Sequence, residues 1–161
     1  VGGEHILRGA LNSEDEAIRM EALDLLSRVE GTDNLLQKAA SQKRHMTRWY
    51  ADLALSVRGK RPADLLAKGM MHEDRMVREY AARFAGDVGP DLGKKSNRIA
   101  QQVVKMGLKD SDPIVRLESL KSAVKLDLQP LKEEATSLLV DEVRAVRVEA
   151  AGTLMALQVA E

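Results

Sequence analysis

The sequence predicts an all-α solenoid of about five helix hairpins. Three observations predict it. First, one short segment recurs: a polar turn, then usually a β-branched residue, an arginine, and a small residue three places on. The copies are Ile18-Arg19-x-x-Ala22, Thr47-Arg48-x-x-Ala51, Val77-Arg78-x-x-Ala81, Val115-Arg116-x-x-Ser119 and Val146-Arg147-x-x-Ala150. Second, the copies fall about 30 residues apart, with one longer step between Arg78 and Arg116, and such a period marks stacked repeats. Third, 161 residues carry only Trp49, Tyr50, Tyr80 and Phe84 as aromatics against 44% hydrophobic residues. That composition suits layers of Ala- and Leu-rich helices better than one bulky core.

Taken in order, repeat one (residues 5–31) has a short helix from His5 to Leu11 and the turn Asn12-Ser13-Glu14-Asp15. Its second helix carries Ile18, Ala22, Leu23, Leu25, Leu26 and Val29 at helical spacing, and Gly31 stops it. Repeat two (32–61) opens at Thr32-Asp33, turns at Ser41 to Arg44 and places Met46, Trp49, Ala51, Leu53, Ala54 and Leu55 on its second helix. Repeat three (62–93) starts at Pro62, and Glu73-Asp74 caps the helix that holds Val77, Ala81, Phe84 and Ala85. Gly86 to Ser96, with three glycines and a proline, reads as a surface insertion that accounts for the long step. Repeat four (94–129) has a first helix from about Asn97 to Leu108; Asp112 then caps the second helix and Pro113 takes its first position. Repeat five (130–161) ends in a helix that begins near Asp141. One hairpin cannot bury its apolar face alone, so the hairpins stack into a single repeat domain over 1–161.

With Leu11…Asp15-x-x-Ile18-Arg19, Met71…Asp74-x-x-Val77-Arg78, Leu108…Asp112-x-x-Val115-Arg116 and Leu139…Val146-Arg147, the chain resembles HEAT repeats. The likeness is nearer to the short HEAT-like repeats found in phycobilisome lyases and many bacterial scaffold proteins, and it covers nearly the whole chain. Two copies depart from the pattern: Arg44 and Val143 stand where an Asp is expected, and Asp141 is placed to cap repeat five from a displaced position. The resemblance implies a right-handed superhelix, with first helices on the convex side and second helices lining the concave side. It implies service to many unrelated partners and admits a chromophore-lyase role.

The chemistry that the residues offer is sparse. No Cys excludes disulfides, thiolate metal sites and a Cys nucleophile. His5, His45 and His72 lack the three or four ligands that a zinc site needs. Glu73 and Asp74 read as a helix cap rather than an acid–base pair. No catalytic residue, cofactor or metal is therefore expected, and the chain is not expected to be an enzyme. No apolar run reaches the ~20 residues of a membrane span and no signal peptide is visible, which favours a soluble, cytoplasmic setting. The chain begins at Val1 without Met, as a processed or excised piece would.

Formal net charge is zero, with repeats one, three and five acidic and repeats two and four basic. The alternation serves either repeat-to-repeat attraction or partner binding. Repeat two sets Lys38, Lys43, Arg44, Arg48, Arg58, Lys60 and Arg61 against only Asp33 and Asp52, a surface for an acidic partner, phosphate or nucleic acid. Zero overall charge argues against a duplex-binding solenoid. The register arginines Arg19, Arg48, Arg78, Arg116 and Arg147 are expected to be structural, each bridging to a cap Asp. Two and five places beyond each arginine, the register points to the concave side. There Tyr50 and Tyr80 beside Arg83, with Lys121 and Arg44, are the expected protein-binding residues; the tyrosines either anchor a partner or fill space between repeats. Trp49 is expected between repeats. On the last helix Val148, Met155 and Val159 extend beyond a single buried stripe. The terminal faces are thus expected to meet further repeats, another domain or a second copy. The expected function is a non-catalytic protein-interaction scaffold; the alternative is nucleic-acid or phosphate binding through repeat two, and chromophore-lyase activity is third.

Overall fold

The computed structural model describes residues 2–159, and the side chain of Val159 lies outside the described residues. The chain is all-α. Its helices are α1 (Gly2–Leu11), α2 (Glu16–Arg28), α3 (Asp33–Ala40), α4 (His45–Ser56), α5 (Asp64–Met70), α6 (Arg75–Ala85), α7 (Gly93–Gly107), α8 (Pro113–Lys125), α9 (Lys132–Ser137) and α10 (Arg144–Val159). Among the described residues no helix is long and apolar enough to cross a membrane. Each odd-numbered helix packs on the next even-numbered one, and the hairpins stack as a helical-repeat solenoid.

The two layers are not equivalent. The second helices touch in unbroken succession, α2 to α4 to α6 to α8 to α10, whereas among the first helices only α5 and α7 pack extensively. The layer of second helices is therefore the inner one. Arg83 of α6 supports this directly, since it reaches Asp24 of α2 at 2.9 Å across the intervening α4. Two helix-to-helix steps of about 8–10 Å each lie beyond an arginine's span in a flat layer, so the layer bends toward this face.

A repeated arrangement at the inter-helix turns locks the stack. Asp15, Asp74 and Asp112 accept from the backbone N–H two residues on and cap α2, α6 and α8. Six residues before the register arginine, Ser13, His72, Asp110 and Asp141 accept from the backbone N–H two residues on. The arginine then spans the same turn. Nη1 of Arg19, Arg78, Arg116 and Arg147 donates to the two carbonyls five and six residues earlier, at 2.6–3.2 Å. The other edge of the guanidinium joins the following repeat. Arg78 takes both Asp110 oxygens at 2.8 and 3.1 Å, and Arg116 takes both Asp141 oxygens at 2.8 and 2.9 Å.

Repeat two breaks this arrangement. Arg48 is exposed, and no hydrogen bond or ion pair is recorded for it among the described residues, which corrects its assignment to the ladder. Arg44 does not cap α4 with its side chain; it pairs instead with Glu14 of repeat one at 2.8 Å. Arg19, lacking a carboxylate in repeat two, meets Thr47 Oγ1 at 3.4 Å, and the buried Gln42 Oε1 finds no partner. The bridge that Arg19 sends into repeat two therefore has no carboxylate to end on.

Inside the hairpins of repeats three and four the helices cross on small residues. A Cβ added to Gly69 would stand 3.0 Å from Ala81 Cβ, and one added to Gly107 would collide with Ser119 Oγ. In these two repeats the small residue three places after the arginine is thus a crossing point. The segment 86–96 also differs from expectation. Val88 is buried, Pro90–Leu92 form a 3-10 turn, and Lys94, Lys95 and Ser96 already belong to α7. The long step arises because α7 has 15 residues where α3 has 8 and α5 has 7, not because a loose loop is inserted. The first helix starts at Gly2 rather than His5.

Arg116→Ala is expected to destabilise the chain by about 3 kcal/mol, the cost of leaving a buried carboxylate without its cation, while Arg48→Ala costs little. The Arg116 guanidinium holds the Asp141 carboxyl below its ordinary value. The stabilisation it provides is therefore present above the ordinary carboxylate range and is lost as pH falls through the lowered value. Urea unfolding of wild type and Arg116→Ala across acidic pH would check both the gap near neutrality and its closing.

Candidate functional site

The inner layer forms a trough whose floor is built from the second helices. At its centre Tyr50 of α4 lies 1% exposed, because the bend closes α2 and α6 over it. Its hydroxyl donates to Asp24 Oδ1 at 3.0 Å, and Arg83 Nη2 donates to the same carboxylate and to the phenol oxygen. Arg28 holds the second Asp24 oxygen at 2.6 Å. The Arg83 guanidinium also lies 5.2–5.7 Å from the ring centroids of Tyr50, Tyr80 and Phe84, a cation–π cage that further fixes it. Tyr50 meets Tyr80 and Phe84 edge-on at 4.8 and 5.1 Å. Burial pushes the Tyr50 phenol up to about 12 against the pull of Arg83.

These positions correct the sequence reading. Tyr50 and Tyr80 come together with Arg83, but both tyrosines are buried and fill the space between repeats. Arg83 remains half-buried and faces the trough. Lys121 is exposed and pairs with Glu118 at 2.8 Å, and Arg44 sits apart on the turn ridge with Glu14. Trp49 packs edge-on against His72, which also stacks near His45.

The basic second repeat is largely spent within the chain. Arg58 donates to Thr32, Asp33 and the carbonyls of Leu26, Ser27 and Val29, so it closes the C-terminal end of α2. Arg61 binds Asp52 at 3.2 Å. Lys38, Lys43 and Arg48 are left exposed. This weakens the case for a phosphate or nucleic-acid surface there.

The trough holds one group that sequence reasoning missed. Glu79 of α6 is half-buried beside Glu118 of α8, and burial, then the Glu118 charge, push its carboxyl above the ordinary value against the pull of Arg75 and Arg83. A carboxyl shifted upward in this way keeps its proton more readily than a free one does. The signal was present in the register: one place after each arginine stand Met20, Trp49, Leu117 and Val148, and Glu79 is the lone charge among them. Among the described residues no three His, Asp or Glu side chains are placed to hold a metal ion.

Comparison with known proteins adds fold and little sequence. No protein-family model matches the chain, and a search of curated proteins finds no significant match. The structure of the complex of CpcE and CpcF of phycocyanin lyase from Nostoc sp. PCC7120 matches with TM-score 0.66 and 16% identity, over 94% of this chain and 98% of that one. An engineered protein matches with TM-score 0.60 and 19% identity, over 98% of this chain and 80% of that one. The chain therefore has the HEAT-like repeat fold. The likeness also overturns the expectation that the chain is not an enzyme. This fold is one on which a phycocyanin lyase is built, so the lack of a familiar catalytic motif excludes nothing.

Glu79 gives a test with a definite sign. Its folded pKa is raised, so the native preference for the protonated form is present below the ordinary carboxylate value and is lost as pH rises through the folded value. Glu79→Gln keeps the neutral shape and gives up only a long contact to Arg75 at 3.7 Å. Its melting temperature is expected to exceed wild type by about 2–4 °C at pH 7 and to match it below about pH 4. Differential scanning calorimetry at the two pH values would check the difference.

Proposed function

We propose that this chain is one subunit of a two-protein assembly with lyase-type activity on a chromophore-bearing protein client. The trough holds the client, and the Glu79 carboxyl transfers the proton. A lyase makes or breaks a bond by addition or elimination, and either direction needs a group that takes a proton and returns it. The observation that carries the reading is Glu79, a half-buried carboxyl with a raised pKa beside Glu118. Arg83 pulls on the Glu79 charge while itself held by Asp24, so the neighbourhood of the carboxyl is fixed before a client arrives. The likeness to the CpcE–CpcF complex along nearly the full length of both chains supports pairing with a second protein. The chain has no cysteine, so no thioether to a chromophore forms on it, and any such bond belongs to the client.

The test mixes the purified chain with phycocyanin, alone and with CpcE or CpcF added, and follows visible absorbance and fluorescence as the chromophore is attached or released. Wild type is expected to raise the rate above background, and Glu79→Gln to lower that rate by about a hundredfold without lowering the melting temperature. A chain that neither binds phycocyanin nor changes the rate in any combination would defeat the reading.

A further inference from the structure

The joint between repeats two and three lacks an acceptor that the later joints have. Asp110 and Asp141 each do two things at once. One oxygen accepts from the backbone N–H two residues on, at 2.9 Å in both turns. The two oxygens together take Nε and Nη2 of the preceding register arginine at 2.8–3.1 Å. His72 holds the same position in the turn that follows Arg48. Its Nδ1 accepts from the Asp74 N–H at 3.0 Å, so it serves the turn as an aspartate does. It cannot serve the arginine. A neutral imidazole whose Nδ1 accepts a hydrogen bond carries its own hydrogen on Nε2 and has no acceptor left for a guanidinium. Arg48 accordingly stands outside the ladder, exposed and with no recorded hydrogen bond or ion pair among the described residues. Its neighbours are donors as well. His45, three residues earlier and so on the same side of α4, is exposed, and its ring lies 5.1 Å from that of His72. Trp49 meets His72 edge-on at 5.2 Å. The chain has no acidic residue between Asp33 and Asp52. Asp74 is engaged as the cap of α6, and Glu73, beside His72 in sequence, is exposed and forms no ion pair with Arg48.

We propose that Arg48, with the imidazoles of His45 and His72, forms a binding site for a carboxylate that comes from outside the chain. The carboxylate takes the part that Asp110 and Asp141 play at the later joints. Arg48 Nε and Nη2 hold its two oxygens side by side, and an imidazole N–H donates to one of them. The class of ligand follows from the two internal counterparts. Both place a flat, two-oxygen group against the planar edge of a register arginine, the geometry that a guanidinium matches best. The carboxylate is either a side chain of an acidic peptide segment or a small free acid; the chemistry recognised is the same. The site uses no residue of the Glu79 trough and stands independently of the lyase reading.

Trp49 is the sole tryptophan and touches His72, so its emission reports on this site. The full chain is titrated at pH 7 with sodium acetate and with a hexaglutamate peptide, ionic strength being held constant with sodium chloride. Both are expected to change the emission saturably where chloride does not. Tighter binding of hexaglutamate than its number of carboxylates explains assigns the site to a peptide segment, and equal binding per carboxylate assigns it to a free acid. Arg48→Ala, a substitution at an exposed and unpaired side chain, is expected to weaken acetate binding by about tenfold. His72→Asp supplies the carboxylate from within. It should raise the melting temperature by about 2–4 °C and abolish the acetate response, and adding Arg48→Ala to it should remove the rise. An acetate response that is absent from wild type, or that survives unchanged in Arg48→Ala or in His72→Asp, overturns the proposal. So does a His72→Asp chain no more stable than wild type, or inorganic phosphate binding more tightly than acetate, since the site would then not be built for a carboxylate.

Discussion

One guanidinium laid across the turn, in every repeat but the second, is the contact on which the rest of the solenoid depends. A tight turn between two helices leaves backbone carbonyls pointing away from any helix, and buried carbonyls must be satisfied. A register arginine serves two of them with one nitrogen and keeps a second, planar edge for a carboxylate. Because that carboxylate lies in the following turn, the group that closes one hairpin also sets the position of the next. Where the edge finds both oxygens of an aspartate, as Arg116 finds Asp141, the joint is rigid. Where repeat two supplies only Thr47, the joint is held by the Arg44–Glu14 pair, by Arg58 on the last carbonyls of α2 and by Tyr50 on Asp24.

Curvature turns this stack into a trough with chemistry. Once the inner layer bends, α2 and α6 approach over α4, and an aspartate, a phenol and an arginine from three repeats share one set of hydrogen bonds. A buried or half-buried charge is tolerated only when it is paired, and Arg83 is paired with Asp24 and ringed by three aromatic faces. Glu79 beside Glu118 is paired less well, with only a long contact to Arg75 at 3.7 Å. Burial first, and the Glu118 charge second, raise its carboxyl pKa.

The turns and helices were legible in the sequence because their causes are local. Asp15, Asp74 and Asp112 act within two residues, and the arginine acts within six, so period and motif report them faithfully. Asp141 does not cap α10: it accepts from the Val143 N–H ahead of the helix, as Asp110 does in repeat four, and it takes Arg116. The burial of Tyr50 was not legible, because register counting treats the second helices as a flat row, and Tyr50 is covered by residues two repeats apart. The length of α7 was hidden by glycines that mark the start of a helix as readily as a loose loop. Glu79 was visible as an odd residue in its register, yet its pKa depends on a neighbour 39 positions away in numbering, at Glu118. Fold follows from short-range rules repeated; the site follows from how far the repeats bend.

The alternation of charge between repeats has a structural cause that these contacts reveal. Basic repeat four sends Lys95 to Asp64 and Lys125 to Asp87 in acidic repeat three, and Lys105 to Glu134 and Arg116 to Asp141 in acidic repeat five. Repeat three in turn sends Arg78 to Asp110 in repeat four. The exposed lysine pairs among these contribute little each, about 0–1 kcal/mol, and are screened by salt, unlike the buried arginine pairs. Their joint effect is on register rather than on depth of stability: a hairpin placed one repeat out of order would face its own sign. Alternation therefore works as an ordering rule along the array.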